Sequence, residues 1–135
     1  MSTITPSPFL TRALFLDVAA SGPMAILLIA AAGVLDGFTG LPSALLRGAG
    51  LVLLPYVAFV LWLAMRRSMP RALVWLVIGL NAVWTIDSLL LLVSGQVQPT
   101  LLGQLFVVAQ ALTVGVLAEL QWVGLKRSAE AARPA

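Results

Sequence analysis

The chain contains no cysteine and no histidine, and only 10% of its residues are charged. Without cysteine there is no disulfide framework and no thiolate chemistry. Without histidine, the commonest ligand of haem, zinc and copper is missing, as is the usual proton shuttle near neutral pH, so neither a metal site nor a resident cofactor is expected. A soluble domain carries about 25% charged residues. At 61% hydrophobic residues over 135 positions, with a mean hydropathy of +1.05, this chain is too apolar to be one and belongs in a bilayer.

Acidic residues are scarcer than basic ones, five against eight, which gives a formal charge of +3 and a pI near 10.7. That sum alone would suit a nucleic-acid binder. The basic residues, however, stand at the ends of apolar runs and are separated by them. They read as topology signals and contacts with anionic membrane lipids, and no nucleic-acid partner is expected.

What the chain does have is four long apolar runs. A spanning helix needs ~20 apolar residues, whereas a spanning strand needs ~10 of alternating polarity, and the runs here are continuous. The spans are predicted at about Arg12 to Leu35, Ser43 to Met65, Ala72 to Val93 and Thr100 to Leu125. Ser7 is placed to cap the first helix and Pro8 to occupy its first position, where a missing N–H costs nothing. The first run is too long for a signal-peptide core and carries Asp17, so it is read as a retained helix. Turns are expected at Asp36 to Pro42 and Gly95 to Pro99, with a short basic connection around Arg66, Arg67 and Arg71. Lys126 and Arg127 should stop the last helix and leave Ser128 to Ala135 as a loose tail.

Arg12, Arg66, Arg67, Arg71, Lys126, Arg127 and Arg133 fall on one side of these spans, and Arg47 alone falls on the other. Both termini are therefore expected in the cytoplasm. Trp62, Trp75 and Trp122 lie near that same side, as an interfacial aromatic belt would; Trp84 lies ~20 Å along the third span at 1.5 Å per residue. Short connections make consecutive helices antiparallel neighbours, so the predicted fold is all-α: one domain, 1–135, forming an integral membrane four-helix up-down-up-down bundle. Pro42-Ser43-Ala44-Leu45-Leu46 and Pro99-Thr100-Leu101-Leu102 echo each other, either as an internal duplication or as ordinary helix-start chemistry.

Ser7-Pro8-Phe9-Leu10 with Arg12, Gly40-Leu41-Pro42 with Leu45-Leu46-Arg47, Leu53-Leu54-Pro55, Val74-Trp75, Asn81 with Trp84, Ser88-Leu89-Leu90-Leu91 and Gln110-Ala111 run through nearly the whole sequence. In these motifs the chain resembles a group of small bacterial four-span integral membrane proteins of uncharacterised function. The resemblance implies a bacterial inner-membrane address and no particular activity.

Polar residues inside the spans carry the functional expectations, because a charge at the bilayer centre costs ~3 kcal/mol and must face protein, be paired or be protonated. Sorted by depth, Asp17 and Glu119 lie near the cytoplasmic side, Asn81 and Gln110 near the middle, and Asp87, Gln104 and Arg47 toward the outer side. Asp17 and Glu119 are expected to face protein, either anchored by arginines at the cytoplasmic helix ends or together forming a proton or cation site. In the third span, Asn81, Thr85 and Ser88 fall within about 60° at 100° per residue, flanked by Trp84 and Asp87. This face either makes interhelical hydrogen bonds or lines a pocket with Trp84 as its wall. In the fourth span, Gln104, Ala111, Gly115 and Ala118 form a small-residue stripe suited to close helix packing, within the bundle or against a second copy, while Gln110 and Gln121 share another face. Pro23 and Pro55 free the carbonyls of Ala19 and Leu51, the first of them near Asp17 and Ser21.

The candidate polar cluster is thus Asp17, Ser21, Asn81, Trp84, Asp87, Ser88, Gln110 and Glu119. With no nucleophile, metal-ligand set or phosphate loop, the expected role is noncatalytic: binding a lipid or other apolar ligand, or serving as an accessory subunit of a larger membrane complex. The alternative is a homodimeric transporter or channel using buried carboxylates. In length, four spans and an acidic residue in the first, the chain resembles small multidrug-resistance exporters, which use a glutamate there. It departs from them in the position of Asp17, in lacking their aromatic motif around it, and in carrying further acids at Asp87 and Glu119. Enzymatic acid-base chemistry is disfavoured because the acids are split between opposite membrane faces.

Overall fold

The computed structural model describes residues 2–130. Helices α1 (Pro8–Ala30), α2 (Ala32–Thr39), α3 (Ser43–Ala64), α4 (Arg71–Val93) and α5 (Leu101–Lys126) are joined to three very short strands, β1 (Thr3–Thr5), β2 (Met69–Pro70) and β3 (Ala129–Glu130). α1, α3, α4 and α5 are each long and apolar enough to cross a membrane. The expected all-α four-helix bundle is therefore present, and its outward surface carries exposed leucine, valine and isoleucine of the kind that faces lipid.

The first helix begins where the sequence placed it. Ser7 Oγ accepts the Leu10 N–H at 3.1 Å with Pro8 following the cap, and Thr100 caps α5 in the same way through Gly103. The end of span one differs from expectation. α1 stops at Ala30, Ala31 leaves helical geometry at φ −113° and ψ 19°, and a separate α2 takes in much of the segment predicted as a turn. Gly40 then closes α2 in the left-handed region at φ 71°, which glycine adopts without steric cost. The apolar residues of α2 give it something to bury, and Asp36 is used at its end: its Oδ2 accepts the Ser43 N–H at 3.1 Å, capping α3 from a distance.

At the basic end of the bundle, β1 pairs antiparallel with both β2 and β3, in the order β2-β1-β3. Ile4 and Met69 from this collar are fully buried under the helices. The start of the tail, expected to be loose, is tied down: Ser128 Oγ accepts the Ser7 N–H at 2.9 Å and donates to the Gly124 carbonyl at 2.8 Å. Arg133, one of the seven basic residues, and Ala135 lie outside the described residues.

α1 packs along α3 and α5, and α4 packs along α5. Two glycines make these approaches close. A Cβ on Gly50 would lie 2.7 Å from Ile29 Cγ1, and one on Gly124 would lie 2.6 Å from Leu10 Cα. Spans two and three, expected as packed neighbours, share their buried apolar contact toward the basic end, where Val60, Leu63 and Ala64 of α3 join Val74, Val77 and Ile78 of α4 in one core. Beyond that core α3 and α4 diverge. At the opposite end α2 docks on α5: Thr100 Oγ1 donates to the Phe38 carbonyl at 2.7 Å, and Gly103 sits against the Thr39 carbonyl.

The Gly124 contact yields a test of the α1–α5 interface. Gly124→Leu is expected to destabilise by about 1 to 3 kcal/mol through overpacking, read as a lower thermal unfolding midpoint in detergent. Gly33→Leu, where a Cβ meets open space, should leave the midpoint nearly unchanged.

Candidate functional site

At the level where α3 and α4 begin to part, every long helix contributes a polar side chain to one buried node. Asp17 of α1 is 1% exposed, Asn81 of α4 is 4% and Gln121 of α5 is 0%. Asp17 Oδ2 lies 2.7 Å from the Tyr56 hydroxyl of α3, 3.0 Å from Asn81 Nδ2 and 2.8 Å from Gln121 Nε2. Its Oδ1 accepts the Ser21 hydroxyl, one turn on, at 2.9 Å. Asn81 Nδ2 also donates to Gln121 Oε1 at 2.9 Å, and Asn81 Oδ1 lies 2.8 Å from the Tyr56 oxygen. Among the described residues no buried side-chain nitrogen or oxygen lacks a partner.

The two readings of Asp17 as arginine-anchored or paired with Glu119 are both replaced by this arrangement. All four of its partners are uncharged. Asp17 meets Asn81, which the sequence reading put in a deeper layer, because α1 starts at Pro8 and so carries Asp17 about a turn farther in than a count from Arg12 suggests. Glu119 does not face protein. The buried face of α5 near this end is Leu117, Ala118, Gln121, Gly124 and Leu125, and Glu119, about 200° round the helix from Gln121, is exposed.

Above the node lies a cavity of about 860 Å³ between α3 and α4, backed by α1 and α5. Its volume is within the ~300–1,000 Å³ range of small-molecule sites. Tyr56, Asn81 and Ser21 expose part of the node at its inner end, and the walls are mostly apolar. Leu45, Val52, Leu80 and Val83 line it and are also exposed, so the cavity is a cleft open sideways through the bundle surface. The inner end is closed by the core of Val60, Leu63, Val74 and Val77.

Trp84, Asp87, Ser88 and Gln110 all line this cleft farther out. Trp84 Nε1 donates to Gln110 Oε1 at 2.8 Å, which gives the deep indole a protein partner between α4 and α5. The Ser88 hydroxyl donates to the Trp84 carbonyl at 2.7 Å and is thereby occupied within its own helix. Asp87 is exposed on the rim. The small-residue stripe of α5 packs against α4 of the same bundle: Ala111 and Ala118 are buried, Thr85 Oγ1 bonds the Ala111 carbonyl at 3.3 Å, and Gly115 faces Thr85. Gln104 points out of this contact, and Ala19, whose carbonyl Pro23 frees, is exposed and faces away from Asp17.

Two residues of the node escaped the sequence-based cluster. Tyr56 is the only tyrosine in the chain and lies well inside a span, next to Pro55; a phenol at that depth needs a partner as much as an amide does. Gln121 was assigned a face with Gln110, yet the two serve separate pairs one above the other. The chain matches no protein-family model, no curated protein and no solved structure.

Replacing Asp17 removes one partner from four hydrogen bonds and strands polar groups of three other helices. Since bonds of this kind in membranes average ~0.6 kcal/mol each, Asp17→Leu should destabilise by about 2 to 3 kcal/mol in a detergent unfolding titration. Glu119→Leu, on the outward face, is expected to change stability by less than about 0.5 kcal/mol.

Proposed function

We propose that this chain is a noncatalytic membrane module that holds a lipid or similar elongated apolar molecule in the cleft between α3 and α4. The observation that carries the reading is the form of the cleft: about 860 Å³, apolar along its walls, open sideways where lipid would lie, and with polar groups at two levels. Apolar ligand sites use a few placed polar groups to fix orientation. Here Tyr56 and Asn81 would receive a hydroxyl or carbonyl at the inner end, and the Trp84–Gln110 pair would flank the chain farther out. The core that closes the inner end speaks against a through-path in a single chain, so transport would require a second copy or a larger complex.

The reading includes a bacterial inner membrane with both termini in the cytoplasm. The cytoplasmic side is supported by the basic end of the bundle, where Arg66 lies 4.8 Å over the Trp62 ring and the Lys126 amine 3.5 Å over Trp122. Cations stacked on interfacial tryptophans belong at a headgroup level, and an excess of arginine and lysine belongs on the cytoplasmic side. Reporter fusions after Ala135 should be active in the cytoplasm; activity outside the membrane would reverse the topology.

Occupancy of the cleft is read at Trp84. With Trp62, Trp75 and Trp122 replaced by phenylalanine, Trp84 emission should be quenched by phospholipids brominated along the acyl chain, and Ala44→Trp, which fills the cleft, should reduce lipid retained in native mass spectrometry. Retained lipid that is the same with Ala44→Trp, together with Trp84 emission indifferent to brominated lipid, would defeat the binding role.

A further inference from the structure

The polar node contains more contacts than its side chains have hydrogens to fill when Asp17 is a carboxylate. Six oxygen or nitrogen pairs lie within hydrogen-bond distance: Asp17 with Ser21, Tyr56, Asn81 and Gln121, Asn81 with Gln121, and Asn81 with Tyr56. Each requires one hydrogen. Ser21 and Tyr56 supply one each, Asn81 supplies two, and Gln121 supplies the one it directs at Asp17. The sixth contact, between the Tyr56 oxygen and Asn81 Oδ1 at 2.8 Å, is left with two facing oxygens once Tyr56 donates to Asp17.

Turning the amides does not remove the deficit. With Asn81 rotated, its nitrogen serves Tyr56, but its carbonyl then opposes Asp17 Oδ2, and Gln121 must rotate too and oppose the same oxygen. Every assignment leaves at least one contact without a hydrogen while Asp17 is a carboxylate. Nor, among the described residues, is there a cation to replace it: Ser21 on its own helix, Tyr56 on α3, Asn81 on α4 and Gln121 on α5 face the carboxyl, and of these Tyr56 alone is titratable. Of the other charged residues of these helices, Arg12, Arg47, Asp87, Glu119 and Lys126 are exposed, and Arg71 is half-buried at the first position of α4.

We propose that the node is a binding site for one proton, held between Asp17 Oδ2 and the Tyr56 oxygen. The proton comes from water and converts the carboxylate to a carboxylic acid; no other covalent bond changes. Asp17 then donates to Tyr56, Tyr56 donates to Asn81 Oδ1, Asn81 donates to Asp17 and Gln121, and Gln121 and Ser21 donate to Asp17. All six contacts are filled. The route for the proton is the cleft, since Tyr56, Asn81 and Ser21 line it while the core at the inner end separates the node from the basic side.

Occupancy has a mechanical consequence. The Tyr56–Asn81 bond joins α3 directly to α4, and it sits at the apex of the cleft. When the proton leaves, the single hydrogen of Tyr56 is drawn to Asp17, the link to Asn81 is lost and the apex loosens. The proton site rests on the node alone; only its effect on a bound lipid depends on the lipid-binding reading.

Infrared spectroscopy of the purified protein in phosphatidylcholine vesicles at neutral pH tests the site without any ligand. The wild type should show the carbonyl stretch of a protonated carboxylic acid, shifted by carboxyl-¹³C aspartate labelling and thus assigned to aspartate without a variant. Asp17→Asn should abolish the band, Tyr56→Phe, which removes the two contacts that leave the node one hydrogen short, should displace or abolish it, and Asp87→Asn should leave it in place. Absence of the band from the wild type, insensitivity to the label, persistence in Asp17→Asn, loss in Asp87→Asn, or an unaltered position in Tyr56→Phe would each overturn the proposal. Lipid retention does not enter the readout, so failure of the cleft as a lipid site is distinguished from failure of the proton site.

Discussion

A carboxyl group placed between helices in a bilayer has no water to satisfy it, so the surrounding protein must supply every hydrogen bond it needs. Asp17 imposes that constraint here. Its partners come from α3, α4 and α5 as well as from its own helix, and no two helices could meet the requirement alone. Hydrophobic burial gives little preference for one helix arrangement over another in lipid, because tails are as apolar as leucine. The polar node therefore does what a hydrophobic core does in water: it defines which helices meet, at what height and on which faces. Gly124 and Gly50 allow the approaches that this geometry demands, and the strand collar at the basic end holds the two termini and the α3–α4 connection beside it.

The same constraint explains why the bundle is closed at one end and open along one side. From the node inward, small and branched side chains of α3 and α4 fill the space between them. From the node outward, α3 stays with α1 while α4 stays with α5, and the two pairs separate. At the far end α2 packs against both α3 and the start of α5, where the Thr39 carbonyl lies against Gly103 in space a side chain would fill. The cleft is thus a product of two pairings that share one polar apex. The Trp84–Gln110 bond stiffens one wall within the α4–α5 pair and makes no bridge to α3.

Hydropathy made the four spans legible to within a few residues, since each helix must cover a fixed thickness with continuous apolar sequence. The capping of α1 and α5 by Ser7 and Thr100 was legible for a similarly local reason. α2 was not, because glycine, aspartate and threonine signal a turn, and only docking against α3 and α5 shows what an eight-residue helix there gains. Of the site, Asp17, Ser21, Asn81, Trp84 and Gln110 could be picked out as polar groups in apolar runs, while the partner of Trp84 could not. Depth puts Glu119 level with Asp17, but it stands two positions from Gln121 and so turns to the opposite face of α5. Tyr56 is less legible because a phenol is largely apolar and stands out little in an apolar run beside charged and amide side chains.

The cleft raises the question of why two apolar walls should stand apart at all. In water, exposed walls of valine and leucine would be driven together; in a bilayer the tails that fill such a gap are equivalent solvent, and no comparable force closes it. An open lateral cleft in a membrane helix bundle is therefore a resting form and not a strained one. Affinity for a particular occupant then has little to draw on from the apolar walls, because any chain fits them about equally well. Selectivity has to arise where the occupant's polar group meets protein, and in this bundle that meeting point is the exposed edge of the node, Tyr56 and Asn81, with Ser21 beside them. Those side chains are already bonded to Asp17 and, in the case of Tyr56 and Asn81, to each other, so an occupant that donates or accepts there competes directly with the contacts that hold α3 to α4.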